Sequence, residues 1–219
     1  STSYDNTPKV ENALSFDGID DYVSAPSLSL TDKPFTIEVW YKSNSVSNEY
    51  ETNIVNNYGT STSSSPNSWN LYINGTSSGT ESGYIKFTKS GGMLVSSKSI
   101  DDGIWHHIAV VREDNADLKI FIDGNLDVES KLSLDHNINS GFDLFIGSKH
   151  YNRFNACKIK ELMISTSAIY TSNFIPQNTF NTHSNALIHY KFSEGSGGTL
   201  SDVSGNNDGT IFGATWVIE

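Results

Sequence analysis

The feature that most constrains the fold is an alternating pattern in the middle of the chain. Residues 105–111 and 118–122 are apolar runs, and Asp123-Gly124 follows the second run. In the second run Leu118, Ile120 and Ile122 fall on one face, and Lys119 and Phe121 fall on the other. A period of two is typical of a β-strand. Because glycine adopts positive φ without steric cost, Asp-Gly between such runs predicts a tight antiparallel hairpin.

Short strand-like segments recur along the rest of the chain, separated by Gly, Asn, Ser or Asp. They are residues 13–16, 22–23, 35–41, 69–73, 84–88, 93–96, 126–130, 143–146, 158–164, 187–192 and 214–218. Residues 42–68 are mostly polar and predict a long exposed loop, and only residues 166–172 favour a turn of helix. Many short strands without helices predict an all-β sandwich or barrel. We expect one domain over residues 1–219.

Charge and composition exclude several classes of function. The formal net charge is −11, which argues against nucleic acid or an anionic membrane as partner, because both recruit basic side chains. No apolar run reaches the ~18 residues of a membrane span. Cys157 is the only cysteine, so no internal disulfide is expected. Ser1 does not begin a signal peptide, and we expect a mature fragment or an excised domain.

Several ordered motifs resemble one known family. They are NALSFDGIDDYV at 12–23, FTIEVW at 35–40, WHHIAVVR at 105–112, IDG at 122–124, LFIG at 144–147, IKEL at 159–162, FSEGSG at 192–197 and DVSGNNDGT at 202–210. Together they resemble the LamG-like jelly roll of the laminin-G-like, concanavalin-A-like lectin/glucanase superfamily. The resemblance implies a two-sheet antiparallel jelly-roll β-sandwich that serves as a non-catalytic binding module. Residues 170–176 are also similar to LamG-like modules of tailed phages.

Catalytic residues are sought first among histidines and carboxylates. His106 and His107 are adjacent on a strand and point to opposite faces, so they are poorly placed to chelate one ion. We expect one ring to pack inward and the other to face the surface. Glucanase relatives of the resembled family carry a Glu-x-Asp-x-x-Glu strand, whereas the nearest pattern here is Glu49-Tyr50-Glu51. The sequence therefore predicts no enzymatic activity.

Two Asp-rich turns are candidates for calcium, which takes about six to eight oxygen ligands. One turn offers Asp202, Asn206 and Asp208, and the other offers Asp17, Asp20 and Asp21. If the two chain ends pair in one sheet, these turns could approach each other. The resemblance also implies a structural Ca²⁺ in such loops. Turn chemistry alone explains the same residues equally well.

A carbohydrate site combines aromatic faces with groups that hydrogen-bond to hydroxyls. One candidate loop contains Tyr151, Asn152, Arg153 and Phe154. A second pair, Tyr58 and Trp69, flanks the Ser/Thr-rich loop, and the weaker candidates are Asn44, Asn56 and Asn57. Exposed aromatics can equally be packing at loop bases.

The function expected from these observations is carbohydrate binding or adhesion, without catalysis, on a cell or virion surface. The partner would be a glycan or polysaccharide, and other surface or virion proteins are further possible partners. The alternative is a structural or decoration protein that assembles without sugar, which predicts a broad apolar patch instead of a shallow groove. A glycoside-active enzyme is a third option, and it requires two facing carboxylates in a cleft.

Overall fold

The computed structural model describes residues 11–28, 30, 34–43, 51–58, 67–89, 92–114, 117–131, 140–148 and 152–219. Its strands are β1 (Asn12–Asp17), β2 (Tyr22–Ala25), β3 (Phe35–Lys42), β4 (Glu51–Asn56), β5 (Trp69–Asn74), β6 (Tyr84–Lys89), β7 (Gly92–Ser99), β8 (His106–Arg112), β9 (Asp117–Ile122), β10 (Asn125–Lys131), β11 (Leu144–Ile146), β12 (Ala156–Ser165), β13 (Ala186–Tyr190), β14 (Thr199–Leu200), β15 (Gly209–Phe212) and β16 (Thr215–Ile218). A short 3-10 helix covers Thr76–Glu81. None of the helical turns in these ranges could span a membrane.

The strands form two antiparallel sheets that pack face to face. Sheet A has the order β10-β9-β8-β3-β12-β1-β16, with β13 beside β12. Sheet B has the order β14-β15-β2-β11-β4-β5-β6-β7. The first and last strands pair in sheet A, as β1 and β16. This arrangement confirms the expected all-β, two-sheet antiparallel jelly-roll β-sandwich.

Alternation along each strand builds the core between the sheets. In β3 the inward side chains are fully buried: Phe35, Ile37, Val39 and Tyr41. From sheet B, the inward residues of β5 meet them, and the Trp69 ring stacks on Phe87 at a centroid distance of 6.1 Å. Cys157 is also buried in this core, and burial raises the pKa of its thiol.

The predicted hairpin is present between β9 and β10. Asp123 and Gly124 both have positive φ, at 53° and 75°, the combination that a type I′ turn requires. A side chain at Gly124 would also collide with the chain that packs on it, because its Cβ would lie 2.0 Å from the Phe174 carbonyl oxygen. Glycine is therefore needed here for the turn and for the packing above it.

Residues 166–183, called the cover segment below, lie across the outer face of sheet A. Ala168, Tyr170 and Phe174 pack on outward-facing side chains of β8 and β9. Residues 166–172 are bends without a helix, so the expected helical turn there is wrong. The prediction that one histidine faces the surface is also wrong. His107 points outward from β8 but is fully buried because aromatic rings of the cover segment pack on it.

Strand β4 was not predicted, because its sequence ETNIVN has few apolar residues. Thr52, Asn53 and Asn56 are nevertheless buried, and the first two hydrogen-bond to β5. Asn53 Oδ1, for example, accepts a 2.7 Å hydrogen bond from Asn70 on the neighbouring strand. Of the long loop expected at 42–68, residues 44–50 and 59–66 lie outside the described residues, and Asn44 is among them.

Candidate functional site

Two of the predicted regions meet at one end of the sandwich. Asp17, at the end of β1, is the register partner of Ala156, at the start of β12. A Cβ on Gly18 would lie 2.9 Å from the Ala156 Cβ, so the β1–β2 turn rests directly on the end of loop 152–155. We call this end the Asp17 rim and define it as residues 17–22, 152–156 and 212–214.

The acidic turn of the Asp17 rim gathers three carboxylates. One oxygen from each of Asp17, Asp20 and Asp21 lies within 4.8 Å of the others. Asp17 Oδ1 accepts the Ile19 N–H at 2.7 Å, and Asp21 Oδ2 accepts the Asp17 N–H at 2.9 Å. Burial raises the pKa of Asp21, the Asp17 N–H lowers it in part, and the Asp17 and Asp20 charges raise it further. Carboxylate oxygens are the ligand type that Ca²⁺ prefers, and calcium at Asp17 and Asp20 stays a prediction.

An aromatic pair adjoins these carboxylates. Tyr22 and Phe212 are register partners on β2 and β15, and their rings stack at 4.6 Å with an interplanar angle of 16°. Phe212 is 42% exposed. The next residue, Gly213, has a φ of +77°, and a Cβ there would lie 2.0 Å from Asp21 Oδ1. The aromatic face and the acidic turn are therefore neighbours, although sequence reasoning named neither ring. Phe212 lies outside every strand that the sequence predicted, so no local pattern marked it.

Loop 152–155 supplies further polar groups at this rim. Asn152 is exposed with a φ of 56°, and Phe154 is half-buried. Arg153 forms an ion pair with Glu51, at the start of β4. Asn155 is buried and accepts a 3.1 Å hydrogen bond from the Tyr41 hydroxyl. Asn155 therefore anchors the loop, whereas Asn152 and Phe154 present groups to solvent. Tyr151 lies outside the described residues.

A pocket of about 270 Å³ borders the rim on the side of sheet A. Ser15, Lys42, Gly103 and Lys158 contribute to its lining. Lys42 Nζ lies 5.7 Å from the centre of the Trp105 ring, and both lysines of the lining pair with Glu219. The ammonium groups of both lysines are therefore engaged by Glu219.

The second acidic turn lies at the other end of the sandwich. Phe212 pairs with Tyr22 and Thr210 with Ser24, so β15 leads away from the Asp17 rim toward residues 202–208. The expectation that the two turns approach each other is therefore wrong. The antiparallel β2–β15 pair separates them by its own length. We call this opposite end the Asp202 rim, after its acidic turn.

The protein itself supplies the donors for Asp202. Oδ1 accepts the N–H groups of His189 and Ser204, both at 2.9 Å, and the Ser204 hydroxyl at 2.7 Å. Oδ2 accepts the Asn207 N–H at 3.2 Å, and Asp208 Oδ1 accepts the Asp202 N–H at 2.8 Å. Burial alone would raise the pKa of Asp202, but these hydrogen bonds outweigh it and lower that pKa. The Asp202 carboxylate is thus held in its turn by hydrogen bonds, and calcium at Asp202, Asn206 and Asp208 stays a prediction.

The second aromatic pair also lies toward the Asp202 rim. Trp69 is only 1% exposed and belongs to the core, so its prediction as a sugar platform is wrong. Tyr58 is half-buried after the end of β4, and Asn56 and Asn57 are buried. Of the predicted sugar-binding residues, Asn152, Arg153 and Phe154 are brought together with an acidic turn, and Tyr58 and Trp69 are not.

The fold and this rim define the class of the protein as a lectin-like jelly-roll sandwich. Residues 17–172 match the family model described as the concanavalin A-like lectin/glucanases superfamily, and the chain belongs to this family. A comparison with curated protein sequences finds no match.

Solved structures share this fold at low sequence identity. A candidate carbohydrate-binding protein from Bacteroides ovatus aligns at 18% identity with a TM-score of 0.69, over 96% of this chain and 60% of its own. The heptameric SAP-like pentraxin of Limulus polyphemus aligns at 13% identity with a TM-score of 0.55, over 74% and 78%. The binding domain of Paraclostridial Mosquitocidal Protein 1 aligns at 13% with a TM-score of 0.50, over 76% and 46%. This chain thus spans less than two thirds of the Bacteroides protein, and these likenesses show the fold alone.

Proposed function

We propose that this chain is a non-catalytic carbohydrate-binding module whose glycan site is the Asp17 rim. The observation that carries the proposal is the exposed Phe212 ring, stacked on Tyr22, beside the Asp17, Asp20 and Asp21 carboxylates. An aromatic face packs on the C–H face of a pyranose ring, and carboxylates accept hydrogen bonds from its hydroxyls. The rim offers both within a few residues.

The neighbouring groups support the same chemistry. Asn152, which is exposed at the rim, adds an amide that both donates and accepts. Such a mixture of one apolar surface with a few converging polar groups is typical of small-ligand sites. A calcium ion held by Asp17, Asp20 and Asp21 is part of the proposal, since it would balance their charge and offer further coordination to sugar oxygens.

A role without catalysis is supported by the arrangement of the acids. Glycosidases use two carboxyl groups that flank the scissile bond, about 5–10 Å apart. The three acids of the rim sit side by side in one turn instead of facing each other across a cleft. We expect no release of reducing ends from any oligosaccharide that binds. A cell-surface or virion-surface setting stays a prediction from the sequence.

The proposal is tested on a glycan array with Phe212→Ala. We expect the array signal to fall about tenfold or more, because truncating a central aromatic anchor costs roughly 2 kcal/mol. Val203→Ala is the matched control, since Val203 is an exposed apolar residue, 49% accessible, at the Asp202 rim. Equal binding by Phe212→Ala and wild type would refute this site. A wild type that binds no glycan would instead favour the assembly role.

A further inference from the structure

The cover segment leaves a cavity of about 300 Å³ between itself and the outer face of sheet A. This size is at the lower end of the range for small-molecule sites. Most of the lining is apolar or aromatic: Met163, Ile169, Tyr170, Phe174, Ile175 and Phe180. Glu38 lines the same cavity from the middle of β3. A carboxylate therefore belongs to the wall of an otherwise largely apolar space.

Only one of the two carboxylate oxygens of Glu38 has hydrogen-bond partners among the described residues. Its Oε2 accepts a 2.7 Å hydrogen bond from the Tyr170 hydroxyl and lies 3.2 Å from His107 Nε2. Its Oε1 has no hydrogen-bond partner among the described residues, although the side chain is about 1% exposed. Leaving a buried acceptor unpaired is costly, and more so for a charged group. Oε1 is therefore an acceptor to which the described part of the protein supplies no donor, in a side chain that lines the cavity.

The cavity can be reached from solvent. Ile175, which lines it, is 92% exposed, and Gln177 and Asn181 in the same wall are exposed as well. The wall thus runs from the surface of the cover segment down to Glu38. The formal net charge of −11 favours a cationic ligand over an anionic one.

The remaining lining residues indicate which chemical groups the ligand carries. Phe174 and Phe180 both stand edge-to-face against His107, with centroid distances of 5.5 Å, and so lie close to the residue that contacts Glu38. Aromatic rings attract a cation through their faces and also pack on an apolar group. A quaternary ammonium would leave Oε1 without a donor, whereas a primary ammonium has three N–H groups.

We propose that the cavity under the cover segment binds a small primary ammonium compound, with its N–H groups on Glu38 Oε1 and its apolar body among Tyr170, Phe174 and Phe180. This site is separate from the Asp17 rim and does not depend on glycan binding there. The bound ammonium group supplies Glu38 Oε1 with a hydrogen-bond donor, which none of its described neighbours provides.

Benzylamine is the probe, and benzyl alcohol is its neutral counterpart of similar shape. In a titration at pH 7 followed by amide chemical shifts, benzylamine shifts resonances of residues 166–183 and of β3. Glu38→Gln weakens benzylamine about 10- to 100-fold, because a hydrogen bond between charged groups is lost. Glu129→Gln, which changes a 42%-exposed glutamate on β10, leaves the affinity unchanged.

A second pair of variants covers the case in which Glu38→Gln fails to fold. Ile175→Lys places a like charge at the mouth of the cavity and weakens benzylamine several-fold. Ile218→Lys, at a residue that is 72% exposed on β16, has no such effect. Shifts confined to residues 17–21, equal affinity for benzyl alcohol, or no difference between the two lysine variants would each overturn the proposal.

Discussion

The two acidic turns of this sandwich have similar composition and opposite physical character. At the Asp202 rim, backbone N–H groups and a hydroxyl surround the Asp202 carboxylate and lower its pKa. At the Asp17 rim, burial and two neighbouring carboxylates outweigh the Asp17 N–H and raise the pKa of Asp21. Donors from the protein surround the Asp202 carboxylate of the first turn. The second turn concentrates negative charge that its own donors do not balance.

This difference shows why a cluster of Asp, Asn and Gly does not identify a ligand site by itself. A carboxylate that accepts several N–H groups acts as a local scaffold, and a cation would have to compete with those donors. A carboxylate beside other carboxylates gains from any cation that reaches it. Of the two turns, the one at the Asp17 rim therefore has the negative charge that the protein's own donors balance less, and it adjoins an exposed aromatic ring.

The largest expected effect concerns the Asp202 rim. Asp202→Ala removes a buried carboxylate that accepts four hydrogen bonds. We expect the free energy of unfolding to fall by about 2–4 kcal/mol, because the buried donors lose their partner. Chemical denaturation measures this change. Asp20→Ala, in the exposed part of the other turn, is the control and should change stability by less than about 0.5 kcal/mol. Equal losses in both variants would abolish the distinction between the turns.

Calcium should act on the Asp17 rim alone. A cation that binds only the folded state stabilises it by about 2.7 kcal/mol at 100 times its Kd. We therefore expect Ca²⁺ to raise the melting temperature of the wild type and EDTA to reverse the rise. Asp17→Asn with Asp20→Asn should remove this response, since two of the three clustered carboxylates are lost.

The matched control for calcium is Asp208→Asn at the Asp202 rim, which should keep the full response. An unchanged melting curve of the wild type in Ca²⁺ and EDTA would count against an ion at the Asp17 rim. A response that disappears in Asp208→Asn would move the ion to the other turn.

The smallest expected effect is on the pH dependence of stability without calcium. The pKa of Asp21 is raised above 3.8 in the folded state, so its stabilising contribution is complete below pH 3.8 and is lost as pH rises through the folded pKa. Asp21→Asn should therefore raise stability at pH 7 by a few tenths of a kcal/mol and have no benefit at pH 3.

The pKa of Asp202 is shifted in the opposite direction, so Asp202 provides the comparison. Its pKa is lowered below 3.8, so its contribution is present above that pH and is lost as pH falls through the folded pKa. Denaturation series from pH 3 to 7 on Asp21→Asn and Asp202→Asn should diverge in opposite directions. Parallel series would contradict the electrostatic account of the two turns.

Much of the architecture was predictable because its causes are local. Alternating residues predicted β3, β8 and β9, and Asp123-Gly124 predicted the turn into β10. Strand β4 was missed because Thr52 and Asn53 become favourable in the interior only once a neighbouring strand offers hydrogen bonds. The burial of His107 was missed because the segment that covers it follows more than 50 residues later in the chain.

The candidate site was predictable only in its parts. The sequence marked Asp17, Asp20, Asn152 and Phe154 as separate candidates, and pairing of β1 with β12 joined them. It also marked Asp202 and Trp69, but Trp69 is buried in the core and strand direction places Asp202 at the other end of the sandwich. Phe212 became a candidate only through its stacking on Tyr22.

The sequence by itself determined most of the strands and the tight turn at Asp123-Gly124, because strand alternation and positive-φ glycines act over a few residues. The tertiary structure decided which acidic turn is already satisfied, which aromatic is exposed, and where a carboxylate is buried without enough donors. Those outcomes depend on hydrogen bonds and contacts between residues far apart in the chain, as between Asp202 and His189 or Glu38 and Tyr170. Short-range patterns therefore specified the scaffold, and long-range packing selected the sites.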